Sequence, residues 1–222
     1  MERVKSLTFS LNPIEDKIYG NDANELVKKV AKMFKPGCSI LDLGCGNGKD
    51  SIYLARSDFD VTPVSISNKS IEDLEELTKK EKLKIKPIKV DVKKPDELSI
   101  LGNYDVIISM NLLQLLYKDY LDHLIHWMKS HTNPDGYNVI KTFTDIECKK
   151  EDGASYKIPI IKGSELNLTG RYWDWFREQY HEGWGNWESH KEEKENHRHY
   201  LISLIAKNKR PLQLEYSPSK PK

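Results

Sequence analysis

The sequence predicts an α/β fold in which a parallel sheet is covered by helices on both faces. Apolar, strand-like runs alternate with amphipathic helical patterns from Leu26 to Thr142. The run from Tyr104 to Ser109 is almost entirely apolar, as expected of a strand that is buried on both faces. A turn rich in glycine follows the first strand, and turns at this position bind ligands in α/β folds.

The elements can be assigned in chain order from these patterns. Helical spacing predicts helices on three groups of residues, namely Leu26, Val27, Val30, Ala31, Met33 and Phe34, then Ile71, Leu74 and Leu77, then Tyr120, Leu121, Leu124, Trp127 and Met128. Strands are predicted at 40–43, 61–64, 85–90, 104–109 and 137–142. Pro134-Asp135-Gly136 predicts a turn into the fifth strand.

The second half of the chain is rich in aromatic residues. Trp173, Phe176 and Tyr180 fall at helical spacing, and 200–206 is predicted to be a buried strand. The aromatic residues form either a core stripe or a hydrophobic wall that keeps water out of a reaction site. We expect one domain over residues 1–208, followed by a poorly ordered, proline-containing tail over 209–222.

Composition excludes several classes of partner. The formal charge is +1, which gives no general attraction to nucleic acid. The three cysteines show no C-x-x-C spacing, which argues against a disulfide framework and against a zinc site. No run of eighteen apolar residues and no apolar leader occurs, so we expect a cytoplasmic protein that does not bind membranes.

The segment from Asp42 to Gly48 reads Asp-Leu-Gly-Cys-Gly-Asn-Gly. Its alternate glycines stand between a strand and a segment compatible with a helix, so cofactor atoms could approach bare backbone. The spacing differs from the G-x-G-x-x-G fingerprint of dinucleotide-binding folds, and no G-x-x-x-x-G-K-[ST] phosphate loop occurs. The segment therefore predicts a nucleotide-binding loop of another kind.

This loop resembles motif I of the class I methyltransferases, which bind S-adenosylmethionine. Further matches follow in the expected order, namely Asp91 after the third strand, Tyr104-Asp105-Val106-Ile107 in the fourth and Pro134-Asp135-Gly136-Tyr137-Asn138 before the fifth. More narrowly, the loop with Ser51-Ile52-Tyr53-Leu54-Ala55, then Glu182-Gly183-Trp184 and Leu204-Ile205-Ala206-Lys207, is similar to the tellurite-resistance methyltransferases of the TehB type.

The resemblance implies a Rossmann-like, doubly wound, mostly parallel seven-stranded sheet with helices on both faces and a C-terminal antiparallel hairpin. It also implies methyl transfer from S-adenosylmethionine to a small-molecule acceptor, such as a chalcogen oxyanion, a thiol or a selenol. Asp42 would lie near the methionine ammonium, Asp91 by the adenine amino group, and Tyr19 would close over the cofactor. The implied cofactor-binding residues are Tyr19, Asp42, Gly44, Cys45, Gly46, Gly48, Ser65, Ile66, Asp91, Val92, Ser109 and Met110.

One position departs from the family pattern. The second strand of these proteins usually ends in an acidic residue that binds both ribose hydroxyls, whereas this strand ends in Ser65. A hydroxyl cannot replace a charge-assisted acceptor of two hydrogen bonds, and Asp60, at the start of the strand, is about 16 Å away. A methyltransferase-like binding module with weakened cofactor binding is therefore an alternative to an enzyme.

If the acceptor is an oxyanion, a thiol or a selenol, cationic side chains should face it. The candidates are Arg171, His197, Arg198 and His199. In an extended segment the two histidines share one face and Arg198 takes the other. The same residues could instead form a solvated turn. The methyl acceptor could also be an amine, a carboxylate or a nucleic-acid base. A metal-binding surface of His181, His190, His197 and His199 is the weakest alternative, because these residues lack tight ligand spacing.

Overall fold

The structure is a computed structural model, and it describes residues 22–146, 148–150, 155–156, 163–186 and 196–209. The α-helices in chain order are α1 (Glu25–Ala31), α2 (Lys49–Arg56), α3 (Asn68–Glu81), α4 (Pro95–Leu98), α5 (Lys118–Ser130), α6 (Gly163–Leu166) and α7 (Leu168–Arg171). The strands are β1 (Ser39–Leu43), β2 (Asp60–Ser65), β3 (Ile88–Lys89), β4 (Tyr104–Met110), β5 (Thr132–Phe143), β6 (Cys148–Lys150), β7 (Ser155–Tyr156), β8 (Phe176–Trp184), β9 (His197–Arg198) and β10 (Tyr200–Lys207).

Seven strands form one sheet in the order β3-β2-β1-β4-β5-β10-β8. β1 to β5 run parallel, and β10 lies antiparallel to both β5 and β8. The predicted seven-stranded, mostly parallel sheet with an antiparallel C-terminal pair is therefore confirmed. A second, small sheet has the order β7-β6-β9.

The core is divided between the two faces of the large sheet. On one face, α1 and α2 pack on the strands through Val27, Val30 and Leu54. On the other face, α5 packs through Leu121 and Leu124. In β1 and β4, neighbouring residues such as Ile107 and Ile108 face opposite clusters, which is why these central strands are largely apolar. In the part of the chain that the structure describes, no helix is long and apolar enough to cross a bilayer.

The third strand is shorter than the sequence pattern predicts. Only Ile88 and Lys89 are in strand conformation, while Ile85 makes an isolated bridge to Val61. Pro87 lies between them, and proline has no N–H to donate to the strand ladder. The prediction of a continuous strand over 85–90 was therefore wrong.

The aromatic stripe at Trp173, Phe176 and Tyr180 is not helical. α7 ends at Arg171, and the chain from Phe176 to Trp184 forms the edge strand β8 beside the buried β10. Pairing with β10 provides the backbone hydrogen bonds of this segment, so tertiary context overrides the helical spacing. Trp173 is 79% exposed, which argues against a core stripe.

The expected turn at Pro134-Asp135-Gly136 lies inside β5. The strand begins at Thr132, and its register with β4 shifts between Tyr104 and Val106. Asp135 has a φ of 65°, so the turn residues produce a local irregularity and do not end the strand.

Candidate functional site

The glycine loop connects β1 to α2 at the carboxyl end of the sheet. Gly44, Gly46 and Gly48 have φ values of 73°, 56° and 77°, a region that favours glycine. The amides of Gly44 and Cys45 both donate to the carbonyl of Val64, each at 3.0 Å. β2 therefore holds the start of the loop in place, and the positive φ values explain why glycine recurs at alternate positions.

The surroundings of the three glycines differ. A Cβ at Gly44 would lie 2.9 Å from the side chain of Leu112, and one at Gly48 would lie 2.4 Å from Leu74. A Cβ at Gly46 would meet no atom of the described residues within 4 Å, its own chain neighbours aside. Gly44 and Gly48 are therefore required by packing, whereas Gly46 leaves open space beside the loop that a ligand could fill.

Two buried carboxylates flank the loop in the sequence, one at the end of β1 and one at the start of α2. Asp42, at the end of β1, accepts a hydrogen bond of 2.6 Å from the Ser51 hydroxyl, and it is 2% exposed. Burial and the nearby charge of Asp50 raise the pKa of Asp42 to about 7, and the Ser51 hydrogen bond opposes this shift. Asp50 accepts from the backbone N–H of Asn24 at 2.6 Å, and burial raises its pKa as well. A cation bound beside Asp42 would stabilise its charged form.

The end of β2 carries no carboxylate. The hydroxyl of Ser65 accepts a hydrogen bond of 3.1 Å from the amide of Ser67, whose own hydroxyl caps α3 through the amide of Ser70. The carbonyl of Ser65 accepts from the amide of Val90 at 3.0 Å. Ile66 is 41% exposed beside it. Ser65 therefore does not replace the acidic residue of the family pattern, because its hydroxyl already accepts a hydrogen bond within the local turn.

Asp91 and Val92 follow β3. The carboxylate of Asp91 accepts from the amide of Lys93 at 3.0 Å, and its own amide donates to Glu97 at 2.7 Å. Val92 packs into the core that α5 covers. Asp91 is half-buried, so part of its carboxylate is open to a ligand.

Two polar atoms at the end of β4 lack partners. The Oγ of Ser109 and the Oδ1 of Asn111 are buried and bond to no group within the described ranges. Asn111 has a φ of 58°, and its amide donates to the carbonyl of Lys141 at 2.8 Å. Met110, between them, is partly buried on the face covered by α1 and α2. Buried polar atoms are rarely left unpaired, so these atoms fit the edge of a polar ligand.

The structure brings His197, Arg198 and His199 into the arrangement expected of an extended segment. The rings of His197 and His199 are buried and 4.9 Å apart, and the ring of His199 lies 4.4 Å from that of Phe143. The guanidinium of Arg198 lies 5.0 Å from the ring centre of Trp184. The two histidines therefore form one inward-facing pair, and they do not form an exposed turn.

Arg171 is bound elsewhere. Its guanidinium pairs with Asp122 on α5 and donates to the carbonyls of Leu166 and Glu165, at 2.8 and 2.9 Å. Its own carbonyl accepts from Lys129 at 2.9 Å. Arg171 thus joins α6 and α7 to α5, which is a structural role and differs from the acceptor-binding role expected from the sequence.

Several sequence predictions lie outside the described residues. These are Tyr19, His190 and the tail over 210–222. Among the residues that the structure does describe, no group of three or more histidine, cysteine or acidic side chains could hold a metal ion.

Sequence reasoning missed Asp50, Ser51 and Asn111 as parts of the site. Asp50 and Ser51 come directly after the last glycine of the loop, at the start of α2, so their position already pointed to the loop. Asn111 follows a buried strand, where an asparagine can take the left-handed conformation that most residues avoid.

Comparisons with known proteins agree with this geometry. A family model described as "Tellurite resistance protein TehB" matches residues 15–203. Over 186 residues the chain is 34% identical to the "Probable S-adenosyl-L-methionine-dependent methyltransferase TehB" of Haemophilus influenzae, an alignment that covers 82% of this chain and 61% of that protein. The chain therefore spans less than two thirds of the length of this relative.

Solved structures show the same relationship. The crystal structure of TehB from Haemophilus influenzae superposes with a TM-score of 0.70 at 31% identity, covering 82% of this chain and 61% of that one. A magnesium protoporphyrin IX methyltransferase (ChlM) from Synechocystis PCC 6803 with bound SAM shares the fold, with a TM-score of 0.56, 18% identity and coverage of 82% and 76%. The match over residues 15–203 and the identity to curated relatives show that this chain belongs to the TehB family.

Proposed function

We propose that this chain transfers a methyl group from S-adenosylmethionine to a small molecule. The observation that carries the proposal is the open space at Gly46, in a loop that follows the buried Asp42, together with the unpartnered Ser109 Oγ and Asn111 Oδ1 at the end of the neighbouring strand β4. The family relationship supports the same cofactor, because a curated relative is named as a probable S-adenosylmethionine-dependent methyltransferase.

The residues present fit this cofactor. Asp42 would hold the ammonium of its methionine part, and the loop from Gly44 to Gly48 would lie against that part without an intervening side chain at Gly46. Asp91 would accept from the adenine amino group, with Ile66 and Val92 beside the ring. Ser109, with the neighbouring Met110, would offer its free hydroxyl to the cofactor from β4.

The cofactor, when bound, supplies a methyl group on a positively charged sulfur. Displacement at this carbon is in line, so the task of the protein is to hold the acceptor at near-attack distance and to exclude water. The buried pair His197 and His199, with Arg198 beside Trp184, can orient an anionic acceptor by hydrogen bonds and charge. We propose a chalcogen oxyanion, a thiol or a selenol as that acceptor.

The observation at Ser65 favours a second candidate function. No carboxylate stands at the end of β2, and the hydroxyl that replaces it already accepts from Ser67. A chain of this kind could bind the cofactor weakly and serve as a binding module.

One experiment separates the two functions. The purified protein is incubated with methyl-labelled S-adenosylmethionine and a panel of selenite, tellurite, thiols, amines and carboxylates, and cofactor binding is measured by calorimetry on the same sample. Labelled product from a chalcogen or thiol acceptor supports the enzyme. Binding of the cofactor without transfer to any member of the panel would contradict the proposed acceptor class and favour the binding module.

A further inference from the structure

A cleft of about 350 Å³ lies between the start of α1 and the strands β5, β8 and β10. Its polar lining residues include Asn24, Lys29, Lys141, His181 and Ser203. Leu26 and Leu201 give it an apolar part.

The cleft is built for a negatively charged ligand. Lys29 and Lys141 contribute two positive charges; the ammonium of Lys29 donates to Gln179 at 2.6 Å, and the charge of Lys141 also acts on Asp50. Among the described lining residues the acidic one is Glu25, and its pairing with Lys28 at 2.9 Å already compensates its charge. Ser203 is only 7% exposed, and it offers a hydroxyl at the base of the cleft.

The cleft adjoins the proposed cofactor site on two sides. Asn24 lines the cleft, and its backbone N–H donates a hydrogen bond to the carboxylate of Asp50. The charge of Asp50 in turn acts on Asp42 beside the glycine loop. Lys141 pairs in register with Met110, and its carbonyl accepts from the amide of Asn111. A molecule in the cleft would therefore lie next to the ends of β4 and β5, close to Asn111 and to the residues proposed to hold the cofactor.

The size of the cleft favours an organic acceptor over an inorganic oxyanion. The volume of about 350 Å³ lies in the range of pockets that bind organic small molecules, so an inorganic oxyanion of about four heavy atoms would fill only a small part of the cleft. An organic molecule of about ten heavy atoms matches the volume better, and the leucine side chains would contact its carbon atoms.

We propose that the cleft binds the carboxylate of an organic thiol, which is the methyl acceptor, through Lys141, His181 and Ser203. This inference rests on the proposed function. In the reaction, the thiol gives its proton to solvent, its sulfur lone pair forms the new bond to the methyl carbon, and the bond from that carbon to the sulfonium breaks. The electron pair of the broken bond stays on the departing thioether, so charge and atoms balance.

A matched pair of thiols tests the proposal. 3-Mercaptopropionate and 3-mercapto-1-propanol have similar length, but only the first carries a carboxylate. Calorimetric titration of the wild-type protein should show binding of the carboxylate that is tighter by about tenfold or more, as expected for a charge-assisted contact. Equal affinity for the two thiols, or no measurable binding of the carboxylate, would overturn the proposal.

Variants identify the residues. Lys141→Gln and, separately, His181→Ala should each reduce the preference for the carboxylate severalfold, with an unchanged melting temperature as proof of folding. The control is Lys207→Gln, because Lys207 lies over the ring of Tyr137 and outside the cleft lining. It should keep the full preference. If both cleft variants keep it as well, the assignment of the cleft is wrong.

The two proposals can fail separately. Titration with S-adenosylmethionine on the same samples measures the cofactor site without any acceptor. Cofactor binding with no preference for the carboxylate would contradict the cleft alone. A preference for the carboxylate without cofactor binding would contradict methyl transfer and leave a carboxylate-binding site.

Discussion

The carboxylate of Asp42 and the hydroxyl of Ser51 are joined by a buried hydrogen bond of 2.6 Å beneath the glycine loop. This contact fixes the end of β1 to the first turn of α2, and it holds a buried carboxylate two residues before the glycine loop begins. The charged form of that carboxylate destabilises the folded protein, because the carboxylate is buried close to Asp50. Stability and ligand binding should therefore respond to it in opposite directions.

The first prediction concerns stability and pH. The folded-state pKa of Asp42 is raised to about 7 from an ordinary value of 3.8, so between these values the folded state binds more protons than the unfolded state. The free energy of unfolding should therefore fall as pH rises from about 4 to about 7. Asp42→Asn removes this cost, and it should be more stable than wild type by about 1 to 3 kcal/mol at pH 8 and not at pH 4.

Urea denaturation at the two pH values measures this effect. Asp58→Asn serves as the control, because the exposed Asp58 pairs with Lys84 at the surface and its replacement should change stability by less than about 1 kcal/mol at either pH. If the free energies of unfolding of Asp42→Asn and wild type differ by the same amount at both pH values, the charge of Asp42 does not destabilise the folded state.

The second prediction concerns cofactor affinity and pH. Since the ammonium of a bound ligand favours the ionised form of Asp42, binding should release a proton below about pH 7. The affinity for S-adenosylhomocysteine should therefore be weaker at pH 6 than at pH 7, by up to about tenfold. Asp42→Asn should bind more weakly and lose this dependence on pH. Wild-type affinity that is the same at both pH values would argue against an ammonium at Asp42.

Particular residues show how far the sequence alone could lead. The strands β1, β2 and β4 and the loop from Asp42 to Gly48 were predictable because apolar runs and alternating glycines are local signals. The break at Pro87 was also visible in the sequence, but the apolar residues around it concealed the short β3. For Phe176 and Tyr180, helical spacing gave the wrong element, because their strand depends on pairing with Lys207 and Leu204 of β10, which are distant in the sequence.

The candidate site divides in the same way. The loop residues lie together in the sequence, so their association could be predicted. The cleft brings together Lys29, Lys141 and His181 from three separate elements, and no local pattern connects them. Arg171 could not be distinguished from a ligand-binding arginine until its bonds to Asp122 and to two carbonyls of the preceding segment were seen.

The third prediction concerns Ser65. Ser65→Asp places a charged acceptor at the end of β2, and an aspartate there can also accept from the amide of Ser67. Cofactor affinity should rise by about tenfold to a hundredfold, the effect of one charge-assisted hydrogen bond. Ser65→Asn, which has the same shape without the charge, should leave the affinity close to wild type. Weaker binding by a folded Ser65→Asp protein would show that the ribose is held in another way.

The fourth prediction concerns the acceptor. His197→Ala and Arg198→Ala should lower kcat/KM at subsaturating acceptor by about tenfold or more while leaving cofactor affinity nearly unchanged, because these residues are proposed to contact only the acceptor. Lys149→Ala is the matched control, since Lys149 lies over the same Trp184 ring, at 4.8 Å, without being part of the histidine strand. Turnover at the wild-type level in both His197→Ala and Arg198→Ala would show that these residues do not bind the acceptor.

The central claim is that the open space at Gly46 holds S-adenosylmethionine, and a titration of two valine variants tests it most directly. Gly46 and Gly37 both have positive φ values, 56° and 75°, and at both positions a Cβ would lie more than 4 Å from every described residue outside its own neighbours. Gly46→Val and Gly37→Val should therefore lose similar stability, about 1 to 2 kcal/mol from backbone strain. Only the first should lose binding of S-adenosylmethionine, by about a hundredfold or more, because its side chain fills the ligand space. Wild-type affinity in a folded Gly46→Val protein, or an equal loss of affinity in both variants, would contradict the claim.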